Sequence, residues 1–309
     1  MRSLGIFLLS MCLMVSVSTS LSAHNGKVYH AVGIPDDRIP VIDGDLSDWG
    51  WVPERYIIRT DQMEDALGGE MPGPDDLDCR IIVGWNGKTN LLYIAVSVKD
   101  DIHNADSSEP LKQYKDDGIE IYIDANHNGG QGIDDEYGIE MQDFGFSVPR
   151  AQGEFVQWGK GYNPVNYWPV EKPYCHHAYR MDGPNVDYEV ALALWDRLYV
   201  DKGPEASIRH QLGSGRTIGM DVLVNDVDED PDTRDCQATT GIPWIGPWKT
   251  IPKQFPDCRS LTARICSKTS SGWSKADDLS DFVLDKPPET AVAEISWGQL
   301  KQTFKDSAR

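Results

Sequence analysis

One stretch of the sequence spaces oxygen-bearing side chains as a calcium-binding loop does. Counting from Asp124, the residues Asp124, Asn126 and Asn128 occupy positions 1, 3 and 5, and Asp135 occupies position 12. Gly129 stands at position 6, where such loops turn sharply. Side-chain oxygens on alternate residues converge as a chain curls, and a late carboxylate closes the shell around the ion. The spacing therefore predicts a calcium site.

The candidate ligands of this structural calcium ion are Asp124, Asn126, Asn128, Gly130 and Asp135. The alternative interpretation is an Asn/Gly-rich turn whose acids are simply solvated. Asp100 and Asp101, at the end of a predicted strand, are a second and less specific calcium candidate. The acidic run at 226–232 has Pro231 where a calcium loop needs glycine, so we interpret it as a solvated loop.

Motifs of common catalytic sites are missing from the sequence. It contains no Gly-x-Ser-x-Gly elbow, no His-Glu-x-x-His pair and no phosphate-binding loop. Carboxylates are abundant, but glycoside hydrolysis needs two of them at a defined separation in space. Since the sequence assigns no such pair, hydrolysis is not supported.

Short β-strands are the elements that must position these residues. Gly118–Asp124 alternates three isoleucines with Glu120 and Tyr122, so one face of the strand packs in the core and the other can meet a ligand. Further strands are predicted at 79–85, 91–98, 137–146, 186–194, 217–224 and 281–284. The turn Asn-Gly-Lys-Thr-Asn at 86–90 joins two of them in a hairpin.

This strand pattern predicts an all-β fold, an antiparallel β-sandwich of immunoglobulin-like or jelly-roll type with long loops. Trp49 and Trp85 are predicted to be core residues. The stretches 149–184 and 231–272 are rich in Gly, Pro and aromatic residues, and we expect them to be packed loops. The tail at 295–305 has apolar residues at the spacing of a short helix.

The charge of the chain argues against anionic partners. The 309 residues include 49 Asp and Glu against 29 Lys and Arg, a formal net charge of -20. A phosphate backbone or an anionic membrane surface would repel such a protein. We therefore expect no nucleic-acid partner, whereas a neutral ligand such as a sugar meets no charge penalty.

The N-terminus predicts export. Arg2, an apolar run at 4–17 and the stretch Ser-Thr-Ser-Leu-Ser-Ala at 18–23 have the order of a signal peptide, so we expect 1–23 to be removed and the protein to be secreted or periplasmic. The expected domain is 24–285, followed by a tail at 286–309. No later apolar run is long enough for membrane insertion.

Five cysteines would remain after cleavage. Three of them, Cys236, Cys258 and Cys266, lie close together in the sequence, which predicts one disulfide in this segment without specifying the pair. Their spacing lacks the Cys-x2-Cys pairs of zinc ribbons.

Five segments together resemble family 9 carbohydrate-binding modules. They are Val-Ile-Asp-Gly-Asp-Leu-Ser-Asp-Trp at 41–49, the stretch from Trp85 through Leu-Tyr-Ile-Ala-Val-Ser-Val-Lys-Asp at 92–100, Asp-Gly-Ile-Glu-Ile-Tyr-Ile-Asp at 117–124, Tyr-Glu-Val-Ala-Leu-Ala-Leu-Trp at 188–195, and Ile-Gly-Met-Asp-Val-Leu-Val-Asn-Asp at 218–226. Their order and spacing fit the family, and the resemblance covers most of 38–285.

The resemblance implies a secreted, non-catalytic β-sandwich that holds structural calcium and clamps a sugar between two aromatic rings. The implied ligand is an oligo- or polysaccharide, and the implied setting is carbohydrate catabolism, with association to a glycoside hydrolase. By position the first ring falls on Tyr114, where the family more typically has tryptophan. The second falls on Trp273, with Trp244 and Trp248 as competitors. Glu120 matches an acidic position that bonds sugar hydroxyls.

Glu140 and Gln142 complete the candidate sugar site. We predict that both point the same way as Glu120 from the neighbouring strand. Glu140 stands where the family is expected to have a basic residue, which leaves the sugar preference open.

Three alternatives remain. A mature N-terminal His24 and a second histidine could hold copper in an oxidative enzyme. A haem-binding electron-transfer sandwich could draw its axial ligands from Met141, Met220, His103, His127, His176 and His177. A structural or adhesive envelope protein would need neither group.

Overall fold

The computed structural model describes residues 24–65, 71–105, 116–130, 133–134, 138–148, 157–159, 167–228, 259–264 and 275–288. Several predictions from the sequence fall outside these residues. They concern the signal peptide, the C-terminal helix, the three late cysteines, Tyr114, Asp135, Trp244, Trp248 and Trp273.

Seventeen strands are found in the described part of the chain. They are β1 Val28–Gly33, β2 Ile57–Arg59, β3 Glu64–Asp65, β4 Leu77–Asn86, β5 Leu91–Asp100, β6 Gly118–Asp124, β7 Ile133–Asp134, β8 Gly138–Ile139, β9 Met141–Ser147, β10 Gln157–Gly159, β11 Cys175–Asp182, β12 Asn185–Leu192, β13 Trp195–Arg197, β14 Ile208–Arg209, β15 Thr217–Asp228, β16 Arg259–Arg264 and β17 Ser280–Leu284.

Helical structure in the same residues is limited to 3-10 segments of three or four residues. These are Leu46–Trp49, Glu54–Tyr56, Thr60–Gln62, Trp168–Val170, Val200–Lys202, Pro204–Ala206 and Ala276–Asp278. None of the described helical segments has the length and apolar character needed to cross a membrane.

The strands form two layers that share β1. In one layer the order is β10-β9-β6-β15-β17-β1, and in the other it is β1-β4-β5-β12-β11. Val28–Ala31 pairs with β17, whereas Val32 and Gly33 pair with β4, so one strand passes from the first layer to the second. Both of these pairings are parallel, and the others in the two layers are antiparallel. The all-β sandwich is confirmed, with a mixed sheet.

The core lies between the layers and is built from alternate residues of each strand. The isoleucines of β6 face it from one side, and Ile81, Val83 and Ile94 face it from the other. The predicted hairpin is β4–β5, where Asn90 has φ 53°, a left-handed conformation that asparagine tolerates well. Trp85 is buried as predicted.

The motif at 41–49 packs on the outside of the second layer. Trp49 is buried there against Tyr93 and Ala95, and its indole Nε1 donates to Glu189 Oε1 at 2.9 Å. Glu189 Oε2 accepts from the backbone N–H groups of Asp43 and Gly44 at 2.9 and 2.8 Å. Two segments of the family resemblance are therefore joined by one buried carboxylate.

Two segments that we predicted to be loops contain strands. β11 lies within 149–184 and pairs with β12 along its whole length, and β16 lies within 231–272 and pairs with β15. The loop prediction is wrong for these residues. β11 is an edge strand, and most of its side chains are half-buried or exposed, so its polar sequence does not show the apolar run of a core strand.

Cys79 and Cys175 are buried free thiols. Burial raises the pKa of the Cys79 thiol well above its ordinary value and that of Cys175 to about 12. Both therefore act as small apolar core side chains.

Candidate functional site

The candidate site lies on the outer face of the first layer, the face of β6, β9, β15 and β17 that points away from the core. Alternation along β6 turns Glu120, Tyr122 and Asp124 to this face, as the sequence predicted for the first two. Cross-strand partners share a face, so Leu223 and Gly145 flank Glu120.

Glu120 is held by two polar neighbours. Its Oε1 accepts a hydrogen bond from Asn225 Nδ2 at 2.8 Å, and its Oε2 accepts one from the Tyr122 hydroxyl at 2.5 Å. Asn225 Oδ1 is buried and has no hydrogen-bond partner among the described residues. The pair of Glu120 and Asn225 therefore presents acceptor oxygens to a ligand that carries hydroxyl donors.

An apolar cluster borders this polar pair. Tyr122, Met141 and Leu223 pack with Ala276 and Leu279, which lie at the start and just past the end of the 3-10 segment before β17. The cluster covers one side of the outer face, and its five side chains are themselves buried. Glu120 and Asn225 are therefore bordered on this side by packed apolar groups.

Gln142 is not on the outer face. It pairs with Ile123, a core-facing residue, and its amide donates to the Trp195 carbonyl at 2.9 Å and accepts from the Trp195 N–H at 3.2 Å. The prediction that Gln142 points the same way as Glu120 is therefore wrong. A shift of one residue in pairing register exchanges the two faces of a strand, and the sequence did not reveal the register.

Glu140 lies between β8 and β9. Its carboxylate forms an ion pair with Arg197 and accepts from Asn128 Nδ2 at 2.8 Å. These contacts lower the pKa of Glu140, with the Asn128 hydrogen bond as the largest cause and the Arg197 hydrogen bond next. In the described structure, the carboxylate joins the loop after β6 to β13.

The predicted calcium loop is described only up to Gly130 and at 133–134. Asp124 Oδ2 accepts from the Gly129 N–H at 2.9 Å, and Asp124 Oδ1 is buried without a hydrogen-bond partner among the described residues. Asn126 donates to the Asp196 carbonyl at 3.3 Å, and Asn128 donates to Glu140. The side-chain amides of Asn126 and Asn128 thus each donate to another protein group. Asp124 Oδ1, which has no partner among the described residues, fits a cation.

A second group of carboxylates lies where β5 ends and β6 begins. Asp100 and Asp117 are buried, and each offers an oxygen within 4.8 Å of the other and of a His103 ring nitrogen. Burial, and next the charge of Asp100, raise the pKa of Asp117 well above its usual range. Closely spaced buried carboxylates of this kind suit a hard cation that binds through oxygen. The sequence indicated Asp100 as a calcium ligand and His103 only as a possible haem ligand, and it missed Asp117.

Asn225 is the other polar residue that the sequence reasoning missed. It lies at the end of a segment that we read as a strand only up to 224, whereas β15 continues to Asp228. The alternation of β15 could have revealed it, because Asn225 follows Leu223 by two residues and so shares its face.

The two-layered fold and the polar outer face define a β-sandwich of the binding-module class. A family model described as "Carbohydrate family 9 binding domain-like" matches residues 42–248, which is more than half of the chain. The protein belongs to this family, as the sequence resemblance indicated. Comparison with curated proteins found no match.

The solved structures to which this chain is similar are distant from it in sequence. A family 9 carbohydrate-binding module from Caldicellulosiruptor kristjanssonii in complex with cellotriose is 13% identical, with a TM-score of 0.50, over 86% of this chain and 97% of that chain. A family 9 module from the same organism in complex with glucose is 14% identical, with a TM-score of 0.48, over 86% and 99%. A putative carbohydrate-binding protein from Bacteroides uniformis is 9% identical, with a TM-score of 0.40, over 84% and 99%.

Proposed function

We propose that this protein is a non-catalytic carbohydrate-binding protein that holds an oligosaccharide on its outer face beside Glu120 and Asn225. The observation that carries the proposal is this buried pair, in which Asn225 Oδ1 has no hydrogen-bond partner among the described residues and lies with the Glu120 carboxylate next to apolar side chains. Family membership supports it, and so does the cellotriose complex of the similar Caldicellulosiruptor module.

The chemistry of the pair fits a sugar better than a charged ligand. A sugar hydroxyl can donate to Asn225 Oδ1 while its C–H face packs on an apolar surface. The formal charge of -20 disfavours anionic ligands, whereas a neutral saccharide brings no charge to the face. Tyr114 and Trp273 remain the proposed stacking rings of the clamp.

The proposal has a cellular setting. The predicted signal peptide puts the protein outside the cytoplasm, where polysaccharide fragments are met. A non-catalytic module would serve carbohydrate catabolism by keeping an associated glycoside hydrolase close to its substrate. Co-purification with such an enzyme in the presence and absence of polysaccharide tests this part separately.

Titration calorimetry against glucose, cellotriose and a panel of other oligosaccharides tests the binding site. The Glu120→Gln variant keeps an acceptor for Asn225 and can donate to the Tyr122 oxygen, so the fold should tolerate it. We expect Glu120→Gln to weaken binding about 10-fold or more, the size of effect for one hydrogen bond to a charged group, and Asn225→Ala about 2–10-fold, because its amide oxygen is neutral.

Glu54→Gln is the matched control, since Glu54 is an exposed carboxylate that pairs with Arg59 and lies outside the candidate site. It should bind as wild type does. Tyr114→Ala and Trp273→Ala test the stacking rings. Saturable binding that survives all four site variants would exclude this face as the site, and a folded protein that binds no sugar in the panel would refute the function.

The proposal includes a structural calcium ion, and the buried Asp100 and Asp117 carboxylates support this position for it. The loop from Asp124 to Asp135 remains the second candidate. Ca2+ should raise the midpoint of thermal unfolding relative to EDTA. Asp100→Asn should abolish that increase, whereas Asp135→Asn should not; the opposite pattern would move the ion to the loop.

A further inference from the structure

A buried histidine bridges two carboxylates at the start of the described chain. His24 Nε2 lies 3.1 Å from Asp124 Oδ2, and His24 Nδ1 lies 3.1 Å from Asp281 Oδ1. The His24 side chain is 0% exposed. Both ring nitrogens therefore meet a carboxylate oxygen, an arrangement that holds the ring in one orientation.

The strands beneath His24 leave space for its imidazole ring. Asp124 on β6 and Asp281 on β17 are both register partners of Gly219 on β15, so the three residues form one row across the outer face. A Cβ at Gly219 would lie 2.4 Å from His24 Nε2, too close for any other residue. The glycine thus leaves the space that the imidazole fills between the two carboxylates.

A second histidine completes the group. His127 Nε2 lies 2.9 Å from Asp281 Oδ1, and the His127 and His24 rings are 4.2 Å apart between centroids. His24, His127 and Asp281 each offer one ligand atom, and these atoms lie within 4.8 Å of one another. Tetrahedral zinc, with bonds of about 2.0–2.1 Å, needs ligand atoms separated by about 3.3 Å, which small side-chain adjustments would achieve.

We propose that His24, His127 and Asp281 form a binding site for a divalent transition-metal ion, with zinc as the preferred occupant. Imidazole nitrogens favour zinc and its neighbours over calcium, so this site is separate in chemistry from the proposed calcium site. It also goes beyond sugar binding, since none of its ligands belongs to the Glu120 and Asn225 pair.

Asp124 has a supporting role in the site. If His24 binds the ion through Nδ1, its Nε2–H donates to Asp124 Oδ2, which the Gly129 N–H also holds. A carboxylate that accepts from the far nitrogen of a ligating histidine fixes the tautomer and orientation of the ring.

The site has one open side. The side chains of His127 and Asp281 are 25% and 17% exposed, so a water molecule can complete the coordination. The ligands come from residue 24, from the turn after β6 and from β17, which are far apart in the chain. A bound ion would therefore fasten the segment before β1 to two strands of the first layer.

Calorimetric titration of the metal-stripped protein with Zn2+ tests the site, after mass spectrometry has shown that His24 is present in the preparation. We expect one equivalent of Zn2+ to bind. His127→Asn keeps a residue that tolerates the left-handed φ of 56° at this position, and His24→Gln is the second ligand variant. Each should weaken binding more than about 100-fold, and Asp124→Asn about 10–100-fold.

His30→Gln is the matched control, because His30 pairs with Asp285 at 3.0 Å in an exposed ion pair outside the group. It should bind Zn2+ as wild type does. Co2+ provides a spectroscopic readout, since tetrahedral coordination gives intense visible absorption that should be lost in His127→Asn and kept in His30→Gln. A parallel Cu2+ titration tests the copper alternative, and tighter, stoichiometric Cu2+ binding by the same residues would overturn the preference for zinc.

No Zn2+ binding to a folded wild-type protein would overturn the site and leave a hydrogen-bonded histidine network. Unchanged binding in both His24→Gln and His127→Asn would place the ion elsewhere and refute the assignment. Sugar binding is measured on the same samples, so failure of the metal site and failure of the carbohydrate proposal are told apart.

Discussion

Glu189 is the residue at which the fold can be tested most sharply. Its side chain is buried, and it accepts three hydrogen bonds, one from the Trp49 indole and two from the backbone at Asp43 and Gly44. Glu189 therefore supplies a concentrated polar attachment of the motif at 41–49 to the second layer, beside the apolar packing of Trp49.

The cost of Glu189→Gln follows from these contacts. A glutamine has one acceptor oxygen, so if it keeps the two backbone bonds, its NH2 group faces the Trp49 N–H. One hydrogen bond to a charged group is lost, which is worth about 1.5–3 kcal/mol. Burial raises the pKa of Glu189, so removal of the charge returns part of that cost. We expect a net loss of about 1–3 kcal/mol, and about 3–5 kcal/mol for Glu189→Ala, which leaves all three donors unpaired.

Urea unfolding followed by tryptophan fluorescence measures both losses, with equal m values required for the comparison. Trp49→Phe in the Glu189→Gln background isolates the indole bond, because the two changes remove the same contact and should not add. A Glu189→Gln variant within about 0.5 kcal/mol of wild type, the range of ordinary surface substitutions, would refute the argument.

Three further predictions follow from single contacts. Gly44→Ala should lower the free energy of unfolding by about 1–3 kcal/mol, because Gly44 has φ 82° and an alanine Cβ would lie 2.5 Å from the Tyr179 carbonyl carbon. Gly26→Ala is the control, since Gly26 has φ 85° but open space around it, and it should lower the free energy of unfolding by less in the same assay. Equal losses in the two variants would contradict the contact argument. Asn128→Ala should raise the pKa of Glu140 in an NMR titration, since the folded-state pKa is lowered chiefly by this hydrogen bond. The stabilisation from ionised Glu140 is present at neutral pH and is lost as the pH falls through the folded-state pKa. The Asn128→Ala variant should therefore lose less folding stability over that pH range. An unmoved Glu140 pKa in the variant would refute this. Cys79 and Cys175 should resist alkylation at about pH 8 in the folded protein and react in urea, because only an accessible thiolate reacts. Peptide mapping that finds either cysteine labelled without urea would contradict their burial.

Much of the fold could be predicted because its signals are local. The β4–β5 hairpin follows from two β-rich runs around a turn that ends in Asn90, and the two faces of β6 follow from its strict alternation. The sequence did not predict β1, because a six-residue strand with parallel partners at β4 and β17 has no local signal for either pairing. β11 was missed because an edge strand can be polar.

The candidate site was predictable only in part, for the same reason. Glu120 could be assigned to the outer face from its own strand, whereas Gln142 could not, because its face depends on the register between two strands. His24, His127 and Asp281 are brought together by the fold from three distant parts of the chain. Such a cluster has no spacing motif, and it becomes visible only in three dimensions.

The double pairing of β1 has a consequence for synthesis on the ribosome. Residues 28–31 leave the ribosome early, but their partner β17 is made only when translation reaches residues 280–284. The first layer therefore cannot close until residues 280–284 have emerged. Until then the nascent protein carries an unpaired edge on β15 and half of an unpaired strand at its start, and these are the surfaces that a chaperone would need to shield.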